Sequence, residues 1–170
     1  ELDSLSDFIS FGVAPSILIY FWTLTSLNSI GWSVVLFFAA CAALRLARFT
    51  ADIYITIKPI DTNVYFTGIP SPAAAGLTLL PLFIYFEFDL SIIKNSYLNF
   101  FNLAIIGFLM ISKIPTISLK SINFSKKIAP WIVLLIVLIC IGLISNLWLT
   151  LIILAFTYII SILYTVINSR

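Results

Sequence analysis

The amino-acid sequence predicts an all-α fold, a polytopic transmembrane helix bundle with about six spans in this chain. Hydrophobic residues make up 62% of the 170 residues and charged residues only 9%, whereas soluble domains are about 45–50% apolar and about 25% charged. The mean hydropathy is +1.17. A soluble protein of this composition could not cover its surface with polar groups, but lipid tails solvate apolar side chains.

A transmembrane helix needs about 20 predominantly apolar residues, and six windows of the sequence come close to that length. They are roughly residues 4–23, 31–48, 71–88, 96–112, 129–144 and 147–167. The longest connection between them, about 49–70, is predicted to be a loop. No internal repeat or low-complexity tract divides the chain, so residues 1–170 are predicted to form a single transmembrane domain.

The distribution of basic residues predicts the orientation of the bundle. With six spans, eight of the nine Lys and Arg residues fall on one side, and only Lys94 falls on the other. Cytoplasmic loops carry the excess of Lys and Arg, so the first side is expected to face the cytoplasm of a multi-pass cell (inner) membrane protein. The net charge of +2 is too small to indicate a nucleic acid partner.

Two carboxylates, Asp3 and Asp7, stand at the head of the first predicted span. On a helix, residues four apart lie on one face about 6 Å apart along the axis, so the two charges repel each other. A divalent cation such as Mg²⁺, which prefers oxygen ligands, would reverse that repulsion. The alternative is that both are helix N-terminal charges, stabilised by the helix dipole and by water. The chain contains no His, so proton chemistry would rest on carboxylates, lysines, tyrosines or water.

Arg45 and Arg48 lie three residues apart near the cytoplasmic end of the second span. Their guanidinium groups are suited to binding a phosphate or a carboxylate. Alternatively, they are positive-inside anchors whose charged ends reach the membrane interface. The small residues from Ser71 to Gly76 open the third span and favour close helix packing, and Pro15 is expected to kink the first span.

Three stretches, taken together and in this order, resemble the CDP-alcohol phosphotransferase family. Residues 3–15 resemble the second half of its signature, D-x-x-D-G-x-x-A-R followed after a spacer by G-x-x-x-D-x-x-x-D, with Asp3 and Asp7 at its third and fourth aspartates. Within the family, the SFGVAP tail of that stretch and residues 41–49 and 66–76 most resemble membrane-embedded bacterial and archaeal phosphatidylserine synthases.

The chain departs from the family signature in one large respect, because no Asp-Gly dipeptide occurs in it. If the resemblance holds, the first half of the signature would precede Glu1. We therefore expect the sequence to be a piece of a longer protein with about eight spans, lacking about two N-terminal spans. Since half of the metal ligands would be missing, we expect this piece alone to be inactive.

The resemblance implies transfer of a phosphatidyl group from CDP-diacylglycerol to L-serine, which gives phosphatidylserine and CMP. It implies a two-metal site of Mg²⁺ or Mn²⁺, with Asp3 as a ligand and Asp7 as both a ligand and the catalytic base. It also implies a set of substrate-binding residues, which comprises Arg45, Arg48, Gly68 and Ser71. The expected partners are CDP-diacylglycerol, L-serine and membrane lipids, and the small-residue helix faces are compatible with a homodimer.

Two other functions remain open on the sequence alone. A member of the same family could use a different alcohol, such as glycerol 3-phosphate. The chain could also be a small transporter or membrane scaffold, in which Asp3 and Asp7 handle ions or cap a helix.

Overall fold

A computed structural model of the protein describes residues 2–55, 65–112, 115–117 and 129–168. Helices dominate it, and most of their boundaries lie within a few residues of the hydrophobic windows. The elements in chain order are α1 (Leu2–Phe8), a π-helical turn (Ile9–Val13), α2 (Ala14–Trp22), a 3₁₀ turn (Leu24–Leu27), α3 (Asn28–Ile55), β1 (Tyr65–Thr67), α4 (Ser71–Phe88), a 3₁₀ turn (Ser91–Lys94), α5 (Ser96–Ile111), β2 (Pro115–Ile117), α6 (Ala129–Ser145) and α7 (Leu147–Asn168).

The predicted all-α helix bundle is confirmed, but the predicted loop at 49–70 is wrong at both of its ends. α3 continues to Ile55, and β1 pairs with β2 as a two-stranded antiparallel sheet in which Tyr65 lies opposite Ile117. The apolar window of the second span ends at polar residues, but α3 continues past them. It can continue because residues 49–55 contain neither Gly nor Pro. The hydropathy pattern did not indicate the two strands, because each has only three residues.

Four helical segments among the described residues are long and apolar enough to cross a membrane. They are Leu2–Trp22, Leu24–Arg48, Ser71–Phe88 and Leu147–Thr165. Two shorter apolar helices, Ser96–Ile111 and Pro130–Ser145, correspond to the other two predicted spans. At 16 residues, α5 is about 24 Å long, less than the roughly 30 Å hydrocarbon core. Local thinning of the bilayer can accommodate such a mismatch at modest cost.

The core lies where α2, α3, α4 and α5 meet. Phe38, Ile69 and Leu103 are fully buried there, and α3 packs along α5 while α4 packs along α7. α6 lies outermost and contacts α7, leaving large apolar side chains such as Trp131 and Leu138 exposed. Such a surface would drive aggregation in water, whereas lipid tails solvate it. The chain is therefore a membrane protein.

The first span is one helix, Leu2–Trp22, that contains a π-helical turn at Ile9–Val13, just before Pro15. Proline has no N–H to donate and its ring crowds the carbonyl four residues earlier, which favours local widening of the helix. The backbone N–H of Ala14 accordingly donates to the Ile9 carbonyl, five residues back. The structure thus has a π turn just after the two aspartates, and the kink expected at Pro15 stays a prediction.

The bundle has two distinct ends, which we name the Asp3 end and the Lys94 end. At the Lys94 end, the Ser96 hydroxyl donates to the Thr23 carbonyl at 2.8 Å and lies 2.7 Å from the Ser26 hydroxyl. These bonds tie the α2–α3 connection to the start of α5. β1, which precedes α4, and β2, which follows α5, pair at the Asp3 end.

Candidate active site

Asp3 and Asp7 both lie on α1 with exposed side chains, one helical turn apart. α1 and the π turn pack against α3 through small residues, since a Cβ on Gly12 would lie only 2.8 Å from the Ala42 Cβ. Arg45 follows Ala42 on α3 by about 4.5 Å of helix rise, and Arg48 lies one further turn along. The carboxylates and the guanidinium groups are therefore at the same end of the bundle.

Arg45 and Ser71, both predicted from the sequence to bind substrate, are in direct contact. The Arg45 Nη1 donates to the Ser71 Oγ at 2.8 Å, and both side chains are half-buried. Ser71 is the first residue of α4, following Pro70, whose extended backbone precedes the helix. The bond thus joins the end of the second transmembrane segment to the start of the third.

Tyr158, on α7, is a residue of this cluster that the sequence argument missed. Its phenol oxygen is buried, and its side chain lines a cleft with Pro72 and Ala73, which directly follow Ser71. Tyrosines near the ends of spans are typical of membrane interface belts, but Tyr158 lies in the middle of α7. A hydroxyl in the middle of an apolar helix is the signal that could have identified it.

A cleft of about 330 Å³ opens between α4 and α7 beside this cluster. Tyr158 is the only lining residue with a hydroxyl group, and the other lining residues are apolar or small. The lining residues are Pro72, Ala73, Gly76, Leu77, Phe83, Leu151, Leu154, Ala155 and Tyr158. The small residues at the start of α4, predicted to allow close packing, leave open space at Gly76, where an added Cβ would have no neighbour within 4 Å.

The other two predicted substrate-binding residues lie outside the Arg45–Ser71 pair. Arg48 is exposed, and Gly68 is buried against the end of α5. Gly68 has φ +84°, and a Cβ there would lie 2.7 Å from the Met110 carbonyl oxygen. Only glycine adopts that conformation in that space without strain. Its observed contacts are structural, and its role toward substrate stays a prediction, as does that of Arg48.

The carboxylates of Asp3 and Asp7 are hard oxygen donors of the kind that Mg²⁺ and Mn²⁺ prefer. Among the described residues, His, Cys, Asp and Glu do not form a group of three or more that could hold a metal ion. The chemistry of the two side chains therefore fits a divalent cation, while the described residues supply two carboxylates toward it. The metal site stays a prediction.

Comparison with known proteins gives relatives that share one printed name, CDP-diacylglycerol–serine O-phosphatidyltransferase. The protein of that name from Mycobacterium leprae is 28% identical over 170 residues, which is 100% of this chain and 56% of that protein. The Helicobacter pylori (strain ATCC 700392 / 26695) protein is 35% identical over 131 residues, or 75% of this chain and 52% of that protein. The Methanocaldococcus jannaschii protein is 41% identical over 115 residues, or 67% of this chain and 47% of that protein.

The chain spans about half the length of the curated relatives it matches. No family model matches it. The similarity to the M. leprae protein covers the whole chain, so it extends beyond the three short stretches that carry the resemblance.

Proposed function

Because this chain is a phosphatidylserine synthase-like member of the CDP-alcohol phosphotransferases, we propose that the protein makes phosphatidylserine. It would transfer the phosphatidyl group of CDP-diacylglycerol to L-serine and release CMP. The observation that carries the proposal is the similarity to relatives of that printed name, one of them over the entire chain. The Arg45–Ser71 hydrogen bond supports it independently, since it prepares a guanidinium for an oxyanion at the end that carries the aspartates.

The proposed reaction is a displacement at the phosphorus bonded to diacylglycerol. The serine hydroxyl oxygen forms a bond to that phosphorus, and the bond from the phosphorus to the bridging oxygen of CMP breaks. Asp7 accepts the proton of the serine hydroxyl, a role that a carboxylate can fill in a chain without His. Its exposed position on α1 is compatible with a water-soluble acceptor substrate.

Asp3 and Asp7 would hold the divalent cation of this site. Such a cation, Mg²⁺ or Mn²⁺, supplies charge neutralisation for the diphosphate and for the oxygens entering and leaving phosphorus. The chain's own residues would supply proton transfer and substrate binding. Asp7 moves the proton, and Arg45, held by Ser71, binds and orients a substrate oxyanion.

We further propose that the Asp3 end lies on the cytoplasmic side of the inner membrane. The bias of Lys and Arg supports this orientation, because Arg45 and Arg48 lie at that end while Lys94 lies at the other. CDP and serine would then approach from the cytosol while the acyl chains stay in the bilayer. A homodimer would bury some of the small-residue and apolar faces.

A lipid-product assay of the full-length protein tests the proposed activity. CDP-diacylglycerol is supplied with serine, glycerol 3-phosphate or inositol in separate reactions, and the lipid product is identified. We expect phosphatidylserine from the serine reaction. A product from glycerol 3-phosphate or inositol, with none from serine, would show a different family activity, and no product from any alcohol would favour a transporter or scaffold.

Replacement of Asp7 by Asn in the full-length protein tests the proposed base. We expect turnover to fall by about 100-fold or more, because a positioned acid–base group contributes 10²–10⁴-fold. The matched control is Asp89→Asn at the Lys94 end of α4, where Asp89 is exposed with φ 49°, a conformation that Asn also tolerates. Equal activity of the two variants would remove Asp7 from the chemistry.

A further inference from the structure

Two buried polar atoms of the candidate site have no hydrogen-bond partner among the described residues. They are the Arg45 Nε and the Tyr158 phenol oxygen. Buried polar groups are nearly always hydrogen-bonded, and an unmade bond is costly, more so for a charged group. Tyr158 lines a cleft together with Pro72 and Ala73, which directly follow Ser71, the residue that Arg45 contacts, so both unsatisfied atoms belong to one region of the bundle.

We infer that Tyr158 is a substrate-binding residue, whose hydroxyl and the Arg45 Nε together bind one oxyanion of the substrate. The Nε–H can only donate, and the phenol O–H is a donor as well. An oxygen anion accepts from both and satisfies both buried atoms. Ser71 holds the opposite side of the guanidinium at 2.8 Å and so fixes the direction of the remaining donors. The inference rests on the proposed function, since it deepens the assignment of the same site.

The shared chemistry of the ligand is an oxyanion, which the proposed reaction supplies as a phosphate of the liponucleotide or as the serine carboxylate. The adjoining cleft favours the phosphate. Tyr158 lines the cleft between α4 and α7 together with apolar residues such as Leu77 and Leu151. A phosphate carried on an apolar chain matches a donor cluster that opens onto an apolar cleft, whereas free serine has no apolar part to place there.

A membrane-interface role would explain Tyr158 less well than substrate binding does. Tyr164 on the same helix shows what an interface tyrosine looks like, because it is 67% exposed near the end of α7. Tyr158 is half-buried, and its phenol oxygen is buried inside the bundle. A tyrosine placed for the interface would have its hydroxyl in water or at the lipid headgroups.

Replacement of Tyr158 by Phe in the full-length protein removes the hydroxyl and keeps the ring that lines the cleft. We expect KM for CDP-diacylglycerol to rise about tenfold, the loss typical of a hydrogen bond to a charged group, with KM for serine unchanged. The matched control is Tyr164→Phe, which should change neither constant. A general loss of structure would lower kcat and the melting temperature without separating the two KM values.

A second measurement separates failure of this inference from failure of the proposed function. Thermal stabilisation of the purified full-length protein by CDP-diacylglycerol is compared between the wild type and Tyr158→Phe, with no turnover required. Weaker stabilisation of the variant supports a phosphate ligand, and a selective rise in KM for serine supports the same donor pair with a carboxylate ligand. Unchanged KM values and unchanged stabilisation in Tyr158→Phe overturn the inference while leaving the synthase activity standing. A wild-type protein that neither binds CDP-diacylglycerol nor makes phosphatidylserine overturns both.

Discussion

The contact between Gly12 and Ala42 sets how closely the helix that carries the aspartates approaches the helix that carries the arginines. Replacing Gly12 by Ala would place a Cβ 2.8 Å from the Ala42 Cβ and 3.3 Å from a ring carbon of Phe8. The obstructing methyl group of Ala42 is rigid, so it cannot rotate away. Relief therefore requires α1 and the π turn to move away from α3.

The size of that movement follows from the contact distances. Ordinary van der Waals contact begins at 3.4 Å, so the helices must separate by about 0.6 Å or more in a tightly packed interior. Overpacking of this kind costs about 1–3 kcal/mol of folding free energy. Because the aspartates and Arg45 lie on the two helices that separate, we also expect turnover to fall by roughly 10- to 100-fold, since misplacement by about 1 Å can cost 100-fold.

The assay compares phosphatidylserine formation and thermal unfolding of full-length Gly12→Ala with those of Gly142→Ala. A Cβ added at Gly142 is also crowded, 2.9 Å from the Thr150 Oγ1, but this contact joins α6 to α7 at the Lys94 end of the bundle. The control should therefore keep its activity whatever its stability, because its contact does not position the aspartates or Arg45. A Gly12→Ala protein with wild-type turnover would refute the argument that close helix approach positions the site.

Three further predictions concern the same end of the bundle. Gly68→Ala should lower the melting temperature strongly, because a Cβ would lie 2.7 Å from the Met110 carbonyl oxygen at φ +84°; an unchanged melting temperature would contradict this packing. Ser71→Ala should destabilise the protein by about 1–2 kcal/mol in thermal unfolding, because the half-buried Arg45 loses its 2.8 Å acceptor; unaltered unfolding would show that the bond contributes nothing. EDTA should abolish turnover of the full-length protein and Mg²⁺ or Mn²⁺ should restore it, whereas a rate insensitive to EDTA would remove the proposed cation.

Much of the fold could be predicted because helices in lipid are encoded by local hydropathy. The window at 71–88 coincides with α4 (Ser71–Phe88), and the window at 96–112 differs from α5 (Ser96–Ile111) by one residue. The continuation of α3 to Ile55 was missed because hydropathy reports where lipid ends and does not report where a helix ends. The pairing of β1 with β2 joins two distant connections, so no local pattern indicates it.

The candidate site was partly predictable for a related reason. Asp3, Asp7 and Arg45 stood out because charged residues beside apolar windows are costly in lipid, whereas the role of Ser71 was implied by the family resemblance. The spacing of the aspartates also follows from helix geometry alone. Tyr158 was missed, although its hydroxyl in the middle of an apolar helix was a signal that could have identified it.

The sequence by itself determined that this chain is a helical membrane protein with acidic and basic groups at the margins of its spans, and it indicated the family. Each of these properties depends on composition or on spacing within one helix. Only the tertiary structure decided that Arg45 bonds to Ser71 and that Tyr158, from α7, lines the adjoining cleft. Packing between distant segments, such as Gly12 on Ala42 and Gly107 beside Phe37, decides which helices become neighbours. Lipid is as apolar as the helices themselves, so the hydropathy of a single segment does not reveal its neighbours.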